Sequence, residues 1–242
     1  MQASSEGLTA VTSLLLKKGA SVDKRGPSGL SALAIACALG HVDTARVLLD
    51  AGADLDLQNQ MGNTPLIWAT RENHGAVVKL LVDRGASIDL ADNEGWTALM
   101  QASWRGHSEI ISFLLKRGAS VDQQRMNGFT ALATACEFGH VDAVLRLLAG
   151  GADIDLRDRN VNMPLMWAAW NDHPDVVQML LNGGASVDSS NSRGWTALMR
   201  AAERGNVKVV SRLLKHSASV DKRGPNGSTA LDIACEHNQL DV

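Results

Sequence analysis

Apolar residues recur along the chain at positions i, i+1, i+4 and i+5 of successive segments. This spacing places them on one face of an α-helix, so each segment predicts a helix with a buried stripe. A shorter, alanine-rich segment precedes each of these helices and predicts a thin first helix that allows close packing. Two segments that show the longer pattern are Val77-Val78 with Leu81-Val82 and Ile110-Ile111 with Leu114-Leu115.

The pattern repeats with a fixed period of 33 residues. Phrases related to Gly95-Trp96-Thr97-Ala98-Leu99-Met100 return at each step, and Val161 stands where the other repeats have glycine. A constant period in this range is typical of stacked supersecondary units rather than of one globular core. We predict a partial unit at 1–20, complete units at about 21–53, 54–86, 87–119, 120–152, 153–185 and 186–218, and a partial unit at 219–242 that stops at the start of its second helix.

Residues with strong capping preferences mark the ends of the predicted helices. A Gly-Ala step such as Gly118-Ala119 ends the second helix, because glycine tolerates the left-handed conformation. A polar tip that ends in glycine follows and predicts a turn. Thr or Ser then precedes the first helix, where a hydroxyl can accept hydrogen bonds from free N–H groups. Pro65 and Pro164 occupy the first helical position, which favours proline.

These phrases resemble the ankyrin repeat family over the whole chain. The resemblance implies an all-α solenoid of stacked helix-turn-helix units with hairpin or β-turn tips, in a single domain over 1–242. It also implies that the position after the turn glycine and the end of the first helix face the concave groove, where partners bind. The family usually carries Thr-Pro-Leu-His, whereas this chain has Ala34, Ile67 or Met100 at the histidine position. We therefore expect cohesion between repeats to depend more on apolar packing.

Composition and charge narrow the classes of partner. Apolar residues make up 45% of the chain, and the net charge is −3. That charge argues against attraction to nucleic acid or to an anionic membrane. No apolar run is long enough to span a membrane and no signal peptide begins the chain, so we expect no direct membrane insertion. Cys37, Cys136 and Cys235 share one repeat position, too far apart for a disulfide, and predict buried thiols in a reducing, cytoplasmic compartment.

Five histidines also follow the 33-residue period. Neighbouring repeats lie about 10 Å apart, whereas a metal–nitrogen bond is about 2.1 Å long, so we predict no metal site. We predict instead that each imidazole makes a hydrogen bond at the N-terminus of a second helix, and that His216 and His237 are solvated. No nucleophile–base–acid set or phosphate-binding glycine loop is present, which favours a protein without enzymatic activity or cofactor. The five are His41, His74, His107, His140 and His173.

Aromatic residues form the candidate binding site. Several tryptophans on one surface usually serve a partner, and Trp and Arg are common interface anchors. Trp68 and Trp167 lie in mid-helix and are predicted to pack inside. The structural alternative is that the other rings only cover neighbouring repeats. The predicted partner-binding set is Trp96, Trp104, Arg105, Phe129, Glu137, Phe138, Trp170, Trp195, Glu203 and Arg204.

We therefore expect a non-catalytic protein–protein interaction module that binds an extended peptide or a partner domain in its concave groove. The alternatives are a structural spacer without a ligand, or the targeting region of a larger enzyme or membrane-associated signalling protein. Both ends lack the polar caps that solenoids need, so we expect an excerpt from a longer array, monomeric or stacked end to end. Hydroxylation of Asp89 or Asp122, which the resemblance suggests, is a further option. The basic tip residues have two interpretations, as solvated tips or as contacts for an acidic residue of a ligand; they are Lys24, Arg25, Arg125, Arg157, Arg159, Arg193, Lys222 and Arg223.

Overall fold

The computed structural model describes residues 1–27 and 29–237. Within these residues it contains fifteen α-helices and one short 3₁₀ helix, with no strand. The chain forms two compact units, Met1–Ser120 and Val121–Val242, here called unit 1 and unit 2. The all-helical prediction is confirmed. The second helix that was predicted to begin at the end of the chain lies outside the described residues.

Each repeat of unit 1 contains a first helix followed by a second helix. Inside the unit, consecutive first helices pack against each other, and each first helix packs against its own second helix. This arrangement is the predicted helix-turn-helix stack. The first helices are α1 (Gln2–Ser5), α3 (Ala32–Ala38), α5 (Pro65–Arg71) and α7 (Ala98–Arg105), and the second helices are α2 (Thr9–Lys17), α4 (Val42–Asp50), α6 (Gly75–Asp83) and α8 (Ser108–Lys116).

Unit 2 repeats the same plan. Its first helices are α9 (Ala131–Glu137), α11 (Pro164–Trp170), α13 (Ala197–Arg204) and α15 (Ala230–Glu236). Its second helices are α10 (Val141–Ala149), α12 (Pro174–Asn182) and α14 (Val207–Lys215), and a 3₁₀ helix covers Pro225–Gly227.

The helix ends form at the predicted residues. Thr97 Oγ1 accepts a hydrogen bond from the Met100 amide at 3.3 Å and so caps α7. At the other end of the repeat, Gly118 has a left-handed backbone with φ of +88°. The amide of Ala119 then donates to the Leu114 carbonyl at 3.0 Å, which satisfies a carbonyl that the helix leaves free.

Alanine and branched aliphatic side chains fill the core of each unit. Ala102 in α7 and Ala135 in α9 are completely buried, and their small volume lets neighbouring first helices approach closely. Leu99 and Ile111 in unit 1 and Leu147 in unit 2 are also buried. Complete burial of one such aliphatic side chain contributes about 1.5–3 kcal/mol relative to exposure, so the repeated stripe stabilises every repeat.

Val161 occupies a tip position that holds glycine in the neighbouring repeats. Its φ is +64°, in the left-handed region, close to the +84° of Gly128 and the +81° of Gly194. The turn still closes, because the Val161 amide donates to the Asp158 carbonyl at 2.9 Å. A β-branched residue in this conformation costs about 1–3 kcal/mol, so the fold imposes strain at this tip.

The aspartate that recurs in every repeat joins one repeat to the next. The Asp56 carboxylate accepts a hydrogen bond from the Ser87 backbone amide at 2.9 Å, and Asp188 accepts from Ser219 at 2.9 Å. Since each acceptor lies 31 residues before its donor, these bonds cross between repeats inside each unit. Hydroxylation at Asp89 or Asp122 stays a prediction. The remaining pairs are Asp23 with Asp54, Asp89 with Ser120, Asp122 with Asp153 and Asp155 with Ser186.

The repeated histidines were predicted to form a hydrogen bond at the N-terminus of a second helix, and this prediction is wrong. His74 occupies the N-cap position of α6, but its side chain does not cap that helix. Its Nε2–H donates instead to the Ala38 carbonyl at 3.1 Å, at the end of the first helix of the preceding repeat. Helix ends leave such carbonyls free, so the imidazole joins repeats in addition to the apolar packing. The same contact links His41 to Ser5, His107 to Arg71 and His173 to Glu137.

Two further residues differ from their predicted surroundings. Cys37 and Cys136 are buried as predicted, and burial raises the pKa of both thiols. Cys235 is exposed, so its predicted burial is wrong. His216 is half-buried rather than solvated, and its Nε2 lies 2.8 Å from the side-chain nitrogen of Gln178.

Candidate functional site

Unit 1 brings two tryptophans of the predicted site together. The Trp96 amide donates to Asp92 Oδ1 at 2.9 Å, which fixes the ring just after the tip. Trp104 lies in the last turn of α7, and the two ring centroids are 5.9 Å apart with a tilt of 52°. Both side chains are half-buried. The name Trp96 cluster is used below for Trp68, Arg71, Trp96, Trp104 and Arg105.

Arginine side chains lie over two indole rings of the Trp96 cluster. The Arg105 guanidinium carbon is 4.1 Å from the centroid of Trp104, and that of Arg71 is 3.9 Å from the centroid of Trp68. These distances are within the range of cation–π interactions. Trp68 is half-buried, so the prediction that it packs inside is only partly correct: Arg71, three residues later on the same helix, covers its outer face.

A cavity of about 540 Å³ opens beside the Trp96 cluster. Its walls come from two successive tips and from α5 and α7. Two amides in the walls, Asn63 and Gln101, are only 4% and 5% exposed. Neither Asn63 Oδ1 nor Gln101 Oε1 has a hydrogen-bond partner among the described residues, and the same holds for Trp68 Nε1. A buried polar atom without a partner destabilises the fold by about 1–3 kcal/mol. A ligand that formed hydrogen bonds with these atoms would recover part of that energy.

Unit 2 contains a second cluster, the Trp170 cluster, made of Trp170, Trp195, Arg200, Glu203 and Arg204. The Arg200 guanidinium carbon lies 4.8 Å from the Trp170 ring and 4.4 Å from the Trp195 ring. Arg204 lies 4.9 Å from the Trp170 ring, and Arg200 pairs with Glu203 at 3.3 Å. One guanidinium is thus in contact with two indoles and one carboxylate.

The electrostatics of Arg200 reflect its partly buried position. Burial lowers the pKa of Arg200, while the charge and the hydrogen bond of Glu203 raise it. The guanidinium stays charged, because arginine is not deprotonated in proteins. A cavity of about 190 Å³ adjoins it and is lined by Asn162, Met166, Trp167 and Trp170 as well.

Phe129 does not lie on the surface where it was predicted. Its side chain is 5% exposed and its ring centroid lies 4.9 Å from that of Trp167 in the next repeat. The Arg125 guanidinium carbon lies 4.8 Å from the same ring. Trp167 itself is half-buried, and its indole N–H donates to Asp158 Oδ2 at 3.2 Å. Phe129 is therefore part of the packing between repeats, since the larger Trp167 ring covers it.

The last two predicted residues are adjacent in unit 2. Phe138 is 45% exposed, and its ring stacks on His140 with 6.4 Å between centroids. Glu137 is half-buried: burial raises the pKa of its carboxyl, and the nearby positive charge of Arg125 lowers it. These two side chains give unit 2 an accessible ring beside an acidic group.

Arg71 and Arg200 were missed as members of the site. The repeat register gives a signal for both. Arg71 shares its register with Trp104 and Trp170, and Arg200 shares its register with Trp68 and Trp167. Comparing the residues at each of the two positions through all repeats would have placed both arginines beside the tryptophans.

The described residues contain no group of three or more His, Cys, Asp or Glu side chains close enough to hold a metal ion. In the same residues, every helix is too short or too polar to cross a bilayer.

The sequence family follows from comparison with known proteins. The model of the family described as ankyrin repeats (3 copies) matches residues 1–92, 51–125, 84–158, 119–191 and 165–242, which together cover the chain. The chain belongs to the ankyrin repeat family. The crystal structure of the human ASB11 ankyrin repeat domain superposes with a TM-score of 0.78 and 29% sequence identity, over 87% of this chain and 92% of that one. A comparison with curated proteins found no match.

Ankyrin repeats are generally protein–protein interaction modules, and the fold is typically non-catalytic. In all, 609 solved chains match this structure, so the ankyrin fold alone does not select one partner. Function has to be argued from the residues that this chain places on its repeats.

Proposed function

We propose that this chain is a non-catalytic interaction module that binds an extended peptide or a partner domain through the Trp96 and Trp170 clusters. The observation that carries the proposal is the contact of half-buried indoles with guanidinium groups, as with Arg200 against Trp170 and Trp195. Trp and Arg are the residue types that most often anchor protein interfaces. In the ankyrin fold, this region of the repeat corresponds to the concave groove.

The stacked arginines prepare the indoles for binding. A guanidinium on an indole face restricts the rotamers of both side chains before a partner arrives, so less conformational entropy is lost on binding. Charged neighbours such as Glu203 and Arg204 would fix the register of the ligand. The accessible ring of Phe138 and the carboxylate of Glu137 extend the same set of contacts in unit 2.

A polypeptide fits this surface better than a nucleic acid. The chain has a net charge of −3, whereas binding to a phosphate backbone depends on excess positive charge. We place the module in the cytoplasm, since its three cysteines are free thiols and thiols persist in reducing compartments. A monomer is proposed as the binding form, with end-to-end stacking of copies as the alternative.

A structural spacer is the second candidate function. The burial of Phe129 against Trp167 favours it, because that ring already has a packing role without any ligand. If the other rings serve the same purpose, their removal would lower the stability of the fold and leave no binding to lose. A targeting role within a larger enzyme or signalling protein would use the same binding surface as our main proposal.

Selection of displayed peptides on the immobilised full chain tests the proposal. Selected peptides are then titrated by fluorescence anisotropy against wild type, the W96A/W104A/W170A variant and a matched control, Phe113→Ala. Phe113 is a half-buried aromatic residue of α8, on a second helix outside both clusters. An anchor is worth about 2 kcal/mol or more, so the triple variant should bind at least about thirtyfold more weakly. Equal affinity for a triple variant that still melts cooperatively would contradict this role of the clusters, and failure to select any peptide on the wild type would favour the spacer.

A further inference from the structure

Unit 1 and unit 2 contain related blocks of three repeats. Polar residues that are hydrogen-bonded in unit 2 can be compared with the corresponding residues of unit 1, where some atoms are unpaired. Residues in corresponding positions lie 99 apart, so Asn63 corresponds to Asn162. In unit 2 the Asn162 amide is satisfied on both sides. Its Nδ2 donates to Asp158 Oδ2 at 3.1 Å, and its Oδ1 accepts from Asn191 Nδ2 at 2.6 Å.

Unit 1 has the same two residue types in the opposite order. Asn59 corresponds to Asp158, and Asp92 corresponds to Asn191. A carboxylate at position 92 cannot donate to Asn63, and Asn63 Oδ1 has no hydrogen-bond partner in the described part of the chain. The exchange also brings the negative charge of Asp92 to the wall of the 540 Å³ cavity.

The same exchange affects Trp68. In unit 2 the Trp167 indole donates to Asp158 Oδ2 at 3.2 Å. In unit 1 the corresponding acceptor is replaced by Asn59, whose Oδ1 already accepts from the amides of Met61 and Asn63 at 2.9 Å. Trp68 Nε1 is consequently unpaired among the described residues.

A third difference shows which chemical group fits the site. Gln101 corresponds to Arg200, and Trp96 corresponds to Trp195. In unit 2 the Arg200 guanidinium lies 4.4 Å from the Trp195 ring. In unit 1 this register holds a shorter, neutral amide, and Gln101 Oε1 is buried without a partner at the cavity wall. The chain therefore fills the site of unit 2 with its own guanidinium, whereas the corresponding place in unit 1 has a glutamine with an unpaired oxygen.

We infer that the cavity of unit 1 binds the guanidinium group of an arginine on a partner polypeptide. The buried oxygens of Asn63 and Gln101 would accept its N–H groups, while Asp92 and Glu94 supply negative charge at the wall. Arg71 also lines the cavity, but its guanidinium lies on the Trp68 ring and pairs with Glu72 at 3.3 Å. This inference rests on the proposed function and names the chemistry that one of its two clusters recognises.

Arginine fits these groups better than lysine. A guanidinium is planar, carries five N–H donors in a fixed fork and stacks on aromatic rings. Asn63 and Gln101, each with an unpaired side-chain oxygen, line the cavity together with Trp96 and Trp104. An ammonium group is compact and more strongly hydrated, so it would satisfy fewer of the acceptors at a greater desolvation cost.

Blocked tripeptides test the inference on the full chain. Acetyl-Gly-Arg-Gly-amide is compared with the same peptide carrying lysine or citrulline, a neutral residue of nearly the same shape. Binding is followed by the ¹⁵N-resolved indole signals, assigned with Trp96→Phe and Trp104→Phe. We expect the arginine peptide to shift these two signals and to bind at least about tenfold more tightly than the citrulline peptide, a difference of about 1.4 kcal/mol.

The decisive variant is N59D/D92N, which gives unit 1 the polar order of unit 2 without changing the net charge. The new carboxylate at position 59 can accept from Trp68, and the new amide at position 92 can donate to Asn63. We expect this variant to melt at a higher temperature than wild type. Its affinity for the arginine peptide should be at least about tenfold lower. Glu109→Gln, an acidic residue of α8 outside the cavity lining, is the control that removes one charge and should bind as wild type does.

Two results would overturn the inference: equal affinity for the arginine and citrulline peptides, or full affinity in the N59D/D92N variant. Either result leaves the proposed function standing if display-selected peptides still depend on Trp96, Trp104 and Trp170. Conversely, suppose that the selected peptides do not depend on these tryptophans while the arginine peptide still binds specifically. That result would contradict the proposed function of the clusters and would support the arginine site in the cavity.

Discussion

The indole N–H of Trp167 donates to the carboxylate of Asp158 at 3.2 Å, nine residues earlier in the same repeat. Asp158 is buried and also accepts from the backbone amides of Asn160 and Asn162 at 2.8 and 2.9 Å. One carboxylate thereby fixes both the tip and the first helix that follows it. This relationship explains why Trp167 is held beside Phe129 and does not turn toward solvent.

Replacing this carboxylate should weaken the fold. In Asp158→Asn, one carboxylate oxygen becomes an NH₂ group, so Trp167 or Asn162 loses its acceptor. We expect the free energy of unfolding to fall by about 1–3 kcal/mol, measured by chemical denaturation. Asp221→Asn makes the same chemical change at an exposed residue of unit 2 and should be nearly neutral. Equal effects of the two substitutions would refute this role of Asp158.

The imidazole contacts between repeats predict a difference between two substitutions of one residue. His74→Ala removes the hydrogen bond to the Ala38 carbonyl and should cost about 1 kcal/mol. His74→Asn should retain much of that stability, because Asn206 in the same repeat position donates to the Ala169 carbonyl at 2.8 Å. Thermal melts of both variants check the order. If alanine and asparagine are equally destabilising, the hydrogen bond contributes little.

Strain at Val161 predicts a stabilising glycine. Val161 has a left-handed φ of +64°, which is strained for a β-branched residue. The Val161→Gly substitution should remove about 1–3 kcal/mol of this strain. The added freedom of the unfolded chain offsets roughly 0.5–1 kcal/mol of this gain. The unfolding midpoint in urea should therefore rise. Val220→Gly changes an exposed valine that lacks a positive φ, and it should lower the midpoint.

The carboxyl of Glu137 predicts a dependence of stability on pH. Burial raises its pKa above the usual 4.5 in the folded state, so the folded protein binds the proton more tightly than the unfolded chain does. The contribution of Glu137 to stability is therefore present below pH 4.5 and is lost as the pH rises through the folded pKa. Glu137→Gln should raise the melting temperature relative to wild type at pH 7 and lose that advantage toward pH 4. A pH-independent difference would contradict this assignment.

The thiols should differ in reactivity. Cys37 and Cys136 are buried, and burial raises the pKa of both, so neither supplies the thiolate that reacts with disulfide reagents. Cys235 is exposed and should react rapidly in the native protein. Titration with a chromogenic disulfide should count one thiol before denaturation and three after it. Cys235→Ser should abolish the native reaction, and rapid labelling in that variant would show that the buried thiols are accessible.

Local signals in the sequence were sufficient for the helices and their limits. Thr97, Pro65 and Gly118 act within one turn of a helix, so their effect can be read from neighbouring residues. The partner of His74 could not be predicted in this way. The Ala38 carbonyl lies 36 residues earlier in the sequence, and a backbone carbonyl has no side-chain signature that would identify it.

The candidate site was harder to predict than the fold for the same reason. Whether a ring is exposed depends on the residue that the neighbouring repeat places against it, as Trp167 does with Phe129. The unpaired oxygen of Asn63 depends on a single difference at Asp92, one repeat further on. The period identifies corresponding positions. Whether a side chain at such a position is buried or hydrogen-bonded depends on its pairing with a side chain of the adjacent repeat.

The joints between repeats have a consequence for how such a chain can change. In both kinds of joint, a side chain of one repeat meets the backbone of another: Asp56 accepts from the amide of residue 87, and His74 donates to the carbonyl of residue 38. Every residue except proline carries both backbone groups, so these backbone bonds tolerate substitution in the receiving repeat, whereas the bond from the Ser87 hydroxyl to the Asp56 carboxylate requires a hydroxyl there. The same contacts can therefore recur at successive junctions while the residue at an aromatic position changes from one repeat to another, as Arg71, Trp104 and Trp170 do.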